Sequence, residues 1–191
     1  MTTLKERQYQ LRETMIIEAM YELLVKKGFT ATSMDDVATR VGISKATLYL
    51  HFKSKTELAL RIIVQQINDV ASSIESLEPT LPVMERVRRT LYAGIQRRVK
   101  MGAAKIDILP EEIFSDPKYQ TAQRHMAELG STLILEAQRA GEIRSDLPAP
   151  LIQRFIANMF NMDVEGLIDG NNSLEQLSDQ IYDLIVRAIR P

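Results

Sequence analysis

The sequence predicts an all-α protein, and three observations carry that reading. Glycine and proline are sparse, 8 and 7 residues in a chain of 191, so helices are seldom interrupted. Apolar residues recur at helical spacing in segment after segment, and no Val/Ile/Thr-alternating run marks a strand. Helix start and stop signals recur often enough to divide the chain into about nine segments. Hydrophobic residues make up 45% and charged residues 26%, the balance of a globular chain with a core of its own. At about 150 residues per domain the length fits one or two domains.

The first predicted helix runs from near Lys5 to Lys27, with Leu11, Ile16, Met20, Leu23 and Leu24 on an apolar stripe and Gly28 as its stop. Ser33 and Asp36 form a cap pattern that opens a short second helix ending at Gly42. Ser44 caps a third, while Ile43 and Leu48 occupy the two positions of a hydrophobic staple. Ser54 and Glu57 make a capping box for a fourth, carried by Leu58, Ile62, Val70, Ile74 and Leu77 to Pro79. A fifth follows Pro82 and stops at Gly102, and a broken segment surrounds Pro110. Asp116 and Pro117 then open a helix that Gly141 ends, about 36 Å long at 1.5 Å per residue. After the Leu147-Pro148-Ala149-Pro150 turn, Leu151 to Ile168 is apolar nearly all round, as in a helix with no face left for water. Ser173 and Gln176 cap the last segment, where Leu174, Leu177, Ile181, Leu184 and Ala188 stand at heptad spacing. The bend from Leu77 to Pro82 is the one place along the chain suited to separating two domains.

Composition removes several function classes. With Cys 0, disulfides, thiolate metal sites and cysteine nucleophiles are excluded. His51 and His125 are the two histidines, too few for a histidine metal cluster, and no cofactor is expected. Glu111 and Glu112 are adjacent and diverge on a helix, and no nucleophile elbow or phosphate loop accompanies them, so the protein is not expected to be an enzyme. No run approaches a membrane span and Met1 to Arg12 lacks an apolar signal core, which makes a cytoplasmic location the expectation. Net charge is −1 but uneven. Residues 1 to 61 carry ten Lys/Arg against seven Asp/Glu, +3, and the remainder 14 against 18, −4, so an anionic partner is expected at the N-terminal third.

Residues 34 to 53 fit a helix-turn-helix. Val37 and Val41 supply the buried face of the first helix, and Ala38 is small where the helices cross. Gly42 stands at the turn, where a left-handed backbone favours glycine, and Ile43 and Leu48 bury the second helix. His51 falls where the generic pattern has an apolar residue.

The surrounding residues are more specific. From Gly28-Phe29 through Thr32, Val37-Ala38, Gly42-Ile43-Ser44-Lys45-Ala46-Thr47-Leu48-Tyr49, His51-Phe52-Lys53, Ser54-Lys55 and Glu57-Leu58, the chain resembles the DNA-binding domain of the TetR/AcrR family of bacterial regulators. The resemblance covers residues 10 to 62 and accounts for His51, because the block ends one residue later, in Phe52. Met20 departs from the alanine many members carry, implying a bulkier packing contact. The resemblance implies a three-helix DNA-binding domain, residues 1–55, and a helical effector-binding and dimerisation domain, residues 56–191.

Duplex geometry suggests roles. A helix fits the major groove and turns its N-terminal N–H groups toward phosphates. Ser44 and Thr47 are short enough for close approach, Lys45 is expected to contact guanine or a phosphate, and Ala46 could meet a thymine methyl. Tyr49, His51, Lys55, Thr32 and Ser33 are expected at the flanking backbone. Tyr49 could instead be simple packing and Ser44 is a cap in any case, whereas Leu48 and Phe52 belong to the core.

For the body, the resemblance implies a homodimer, since paired recognition helices must stand about 34–36 Å apart on a two-fold site. Leu174, Leu177, Ile181, Leu184 and Ala188, with the Leu151 to Ile168 segment, could build that interface. An effector pocket, also implied by the family, could be lined by Leu91, Ile95, Met101, Phe114, Met126, Leu129, Phe155, Asn158, Met159 and Met162, though such residues are more often plain core. Sparse charge there favours a neutral or lipophilic effector. The function expected is a ligand-responsive regulator, most simply a repressor binding a palindromic operator. The alternative is a DNA-binding regulator of the same fold without a small-molecule effector.

Overall fold

The computed structural model describes residues 3–102, 109–159 and 173–191, all of whose regular elements are α-helices. The order is α1 Leu4–Ala31, α2 Met34–Val41, α3 Lys45–His51, α4 Lys55–Glu75, α5 Val83–Gly102, α6 Glu111–Ser115, α7 Pro117–Arg139, α8 Ala149–Met159 and α9 Leu174–Ile189. They belong to two compact units. Met1–Gln65 with Ala103–Tyr119 form one, and Gln66–Gly102 with Gln120–Pro191 form the other.

In the first unit, α1 is longer than its expected span. Gly28, at φ 79° and ψ 172°, interrupts it, and one further turn reaches Ala31. Ile16, Ala19, Met20, Leu24 and Phe29 are buried. Leu11, expected on the same stripe, is 63% exposed, because the first turns of α1 extend past the core. Val37, Ala38, Leu48, Leu58, Ala59 and Ile62 are among the buried residues that the next three helices supply, with Phe52 at the end of α3, each large one contributing about 1.5–3 kcal/mol. Ser54 Oγ accepts from the Glu57 N–H at 3.0 Å, but Glu57 Oε2 accepts from Lys53 N at 2.7 Å. The expected box is therefore displaced by one residue at its return bond.

In the second unit, Val87, Leu91, Leu133, Ile134, Ala137, Ile143, Ile152, Ile185 and Ile189 form one core. Val87 and Leu91 on α5, like Ile185 and Ile189 on α9, are four residues apart, the spacing of a helix ridge. Within the subunit, the row that α9 packs on this core differs from the expected heptad stripe. The inward row runs through Leu177, Ile181, Ile185 and Ile189, while Leu184 is 68% exposed and Ala188 is exposed. On α8, Ala149 and Ile152 are buried, but Leu151 and Phe155 are exposed, so its described part does keep an open face. Residues 160–168 of the expected helix lie outside the described residues.

The turn from Gly141 to Leu147 is closely tied. Gly141 is at φ 71°, Gln138 Nε2 donates to Arg144 O and Leu147 O at 2.8 Å each, and the Arg144 N–H donates to Ile189 O at 2.8 Å. Asp116 and Pro117 start α7 as expected, with Asp116 Oδ1 accepting from Lys118 N at 2.7 Å. Ser173 and Gln176 form a full capping box on α9.

Candidate nucleic-acid interface

The helix-turn-helix is assembled by short-range polar contacts around a small apolar seam. Ser33 caps α2, its hydroxyl accepting from Asp36 N at 3.1 Å while Asp36 Oδ2 accepts from Ser33 N at 2.7 Å. Lys27 Nζ lies 2.8 Å from Asp36 Oδ2 and ties this turn to α1. The Lys27 ammonium, and after it the Ser33 hydroxyl and N–H, hold the Asp36 carboxyl far below the usual carboxylate range. Gly42 ends α2 at φ 77°, in the left-handed region, with its N–H donating to Ala38 O at 3.0 Å and Thr39 O at 3.2 Å. Val37 and Leu48 are fully buried and Ala38 nearly so, which fixes α3 against α2.

Along α3 the expected contact residues divide by environment. Ser44 Oγ accepts from Thr47 N at 3.1 Å and is hydrogen-bonded to Thr47 Oγ1 at 2.8 Å, so both hydroxyls belong to the cap. Ser44, Lys45, Ala46 and Tyr49 are exposed, and Thr47 is partly so. Lys45 Nζ is engaged by Asp35 of α2, 2.8 Å from Oδ1, and this hydrogen bond raises the ammonium's pKa. Leu50, which the sequence left unassigned, is 79% exposed beside them.

His51 is the last residue of α3, and its ring stacks on Tyr9 of α1 with centroids 4.1 Å apart and planes at 25°. Its Nδ1 is buried and has no hydrogen-bond partner among the described residues. Desolvation first, then the Arg12 guanidinium, lower the imidazole pKa, with Glu13 acting in the opposite direction.

The flanking residues differ again. Ser33 is exposed, but Thr32 is buried and its hydroxyl donates to Gly28 O at 2.7 Å. Lys55 Nζ donates to Phe29 O and Thr32 O at 2.9 Å each and stands 4.2 Å from the centroid of the Phe29 ring. An ammonium has three donors, so one is left beyond these two carbonyls. Asp35 and Tyr9 are the partners that sequence analysis missed. Their spacings from Lys45 and His51 are set by tertiary packing, and no local pattern signals them.

The residues expected to line an effector pocket stand in different environments. Leu91 and Ile95 are buried, and Met159 packs on the core that contains Leu91. Met126 and Leu129 are half-buried on α7, while Phe155 and Asn158 are exposed on α8. Phe114, in the other unit, is exposed and meets Tyr119 edge to face at 5.4 Å. Met162 and the side chains of Met101 and Leu174 lie outside the described residues. Among the described residues no group of three or more His, Asp or Glu could hold a metal ion, and no helix is long and apolar enough to cross a membrane.

Comparisons with known proteins fall on the same region. Residues 16–62 match the model of a family described as bacterial regulatory proteins, tetR family. The HTH-type transcriptional regulator YhgD of Bacillus subtilis is 35% identical over 88 residues, 46% of each chain. The HTH-type transcriptional activator FasR of Mycolicibacterium smegmatis is 34% identical over 83 residues, 43% of this chain and 38% of FasR. These matches thus span less than half the length of those relatives. Over the whole chain, the fold resembles that of the transcriptional regulator FadR from Bacillus subtilis, solved in complex with stearoyl-CoA. Its TM-score is 0.78 at 17% identity, covering 93% of this chain and 99% of FadR.

Proposed function

The chain belongs to the TetR/AcrR family of bacterial transcriptional regulators, and on that premise we propose that it binds a palindromic operator as a homodimer and represses transcription until a small, largely apolar effector releases it. The observation that carries this reading is the exposed row Ser44, Lys45, Ala46 and Tyr49 on a short helix fixed by buried Leu48. Such a helix fits the major groove, and a two-fold pair of them reads two half-sites. Residues 1–55 would serve DNA binding and residues 56–191 effector binding and dimerisation, in the cytoplasm. Leu151, Phe155, Leu184 and Ala188 leave apolar surface on α8 and α9 for a second subunit to cover. The stearoyl-CoA bound by FadR has a long apolar body, in keeping with a lipophilic effector here.

Effector binding would act by moving α4 and changing the spacing of the two recognition helices, through whatever difference in affinity the effector has for the two arrangements. The test selects duplexes from a random library with the full chain, then titrates the enriched sequence with wild type and Lys45→Ala. Retention of a two-fold sequence that Lys45→Ala binds more weakly supports the reading, and failure to enrich any sequence overturns it. Native mass spectrometry of the purified protein separates an effector-controlled regulator from one without a small ligand. A reporter placed behind the enriched sequence separates repression from activation.

A further inference from the structure

We propose that the first turns of α1 form a second DNA-contacting element, in which Lys5 and Arg12 bind backbone phosphates flanking the half-site approached by α3. The proposal rests on the operator-binding reading above and extends it to residues outside the helix-turn-helix. At 100° per residue, Lys5, Tyr9 and Arg12 stand at i, i+4 and i+7 on one stripe of α1. Continued toward the C-terminal end, that stripe becomes Ile16, Ala19 and Met20, all buried. It is therefore the core-facing side of α1, yet where the helix extends past the core it carries two cations and a tyrosine, all exposed.

Tyr9 fixes where this stripe lies, because its ring stacks at 4.1 Å on His51, the final residue of α3. Lys5 and Arg12, about one turn to either side of Tyr9, thus stand near the C-terminal end of the recognition helix. Arg12 is close enough to His51 to disfavour its protonation. The nearby carboxylates are engaged elsewhere, Glu13 with Arg61 at 3.5 Å and Glu6 in the Thr3 capping box. Among the described residues no carboxylate lies within ion-pair distance of Lys5 or Arg12. Thr3 and Glu6 also hold this segment helical, with both bonds of the box formed, so its cations are presented at fixed spacing. Residues 3 to 12 contain Lys5, Arg7 and Arg12 against Glu6, a net +2. A rigid basic stripe continuous with a groove-sized helix complements the phosphates on either side of the groove.

The experiment uses the full chain and the duplex it enriches, in a long form and in a form trimmed to the half-sites. On the long duplex, Lys5→Ala/Arg12→Ala should lower the slope of log affinity against log salt by about 0.9 for each phosphate lost, roughly 1.8 per subunit. Lys5→Arg/Arg12→Lys, which keeps both charges, should restore it. Trimming should weaken wild type to the level of the alanine variant and leave that variant unchanged. A wild-type slope in the alanine variant, or wild-type indifference to trimming, overturns the proposal while leaving the operator-binding reading intact. If the wild-type chain enriches no duplex, both fail together. Both side chains are exposed, so the alanine variant should keep the far-ultraviolet circular dichroism of wild type. If it does not, the salt slope of the charge-preserving variant on long and trimmed duplexes decides the matter.

Discussion

The Lys45 ammonium lies 2.8 Å from Asp35 Oδ1 and 3.0 Å from Asp35 Oδ2, so the cation that opens the recognition helix is shared with the helix before it. A phosphate or base approaching Lys45 has to compete with that carboxylate. Asp35→Asn should therefore tighten operator binding, with a gain that shrinks as salt is raised. Combined with Lys45→Ala it should give no gain, because the two changes act on one interaction. Anisotropy titrations of the four proteins that make up this cycle check both statements.

Lys55 makes a different prediction. Its ammonium donates to Phe29 O, which also accepts from the Thr32 N–H at 3.2 Å, and to Thr32 O, just past the end of α1. Lys55→Met should destabilise the chain by roughly 1.5–3 kcal/mol, the range for hydrogen bonds to charged groups, read as a lower midpoint in urea. If its third donor also meets a phosphate, the operator salt slope falls by about 0.9 in the same variant. An unchanged urea midpoint would remove Lys55 from the set of bonds that close α1.

His51 has its pKa lowered below the ordinary 6.5, chiefly by desolvation. The unfolded chain thus takes up a proton that the folded chain resists. The stabilisation is complete above pH 6.5 and is lost as pH falls below it toward the depressed folded value. His51→Gln should flatten stability against pH in that window, and Tyr9→Ala, which uncovers the ring, should move the imidazole back toward 6.5. Proton NMR titration resolves this readily, since the sequence has 2 histidines and His125→Gln assigns the other.

Gly42 is at φ 77°, and among the described residues nothing lies within 4 Å of where a Cβ would stand. Gly42→Ala meets no clash, so its cost is that of the left-handed backbone alone, about 1–2 kcal/mol. A larger loss of stability in urea would indicate that the α2–α3 turn is constrained by more than its backbone angles.

Leu184 is 68% exposed on α9. Leu184→Glu should preserve helix content and shift sedimentation velocity from dimer to monomer. A variant that remains a dimer would place the interface away from this face of α9.

What the sequence made legible follows how far apart the interacting residues lie. The Ser33, Ser44 and Ser173 caps involve residues three apart, and the Gly42 turn depends on one residue's backbone, so residue type and spacing were enough. The Lys45–Asp35 pair, the Tyr9–His51 stack and the Lys55 bonds to Phe29 and Thr32 join residues from different helices. Each depends on how those helices cross, which periodicity does not encode. In α9, heptad and four-residue spacings both fit Leu177 and Ile181, and packing in the second unit selected the row that continues through Ile185 and Ile189. Leu11 fits its stripe by spacing, yet the core ends before reaching it.

The two carbonyls that Lys55 holds have a mechanical consequence. Lys55 is the first residue of α4, so the root of that helix is clamped to the last turn of α1. A tilt of α4 that began at its root would have to break both bonds or drag Phe29 and Thr32 with it. Any flexure that leaves the clamp closed must start further along the helix, and a torque arriving at the root would be passed to α1 as well as to the α3 rod.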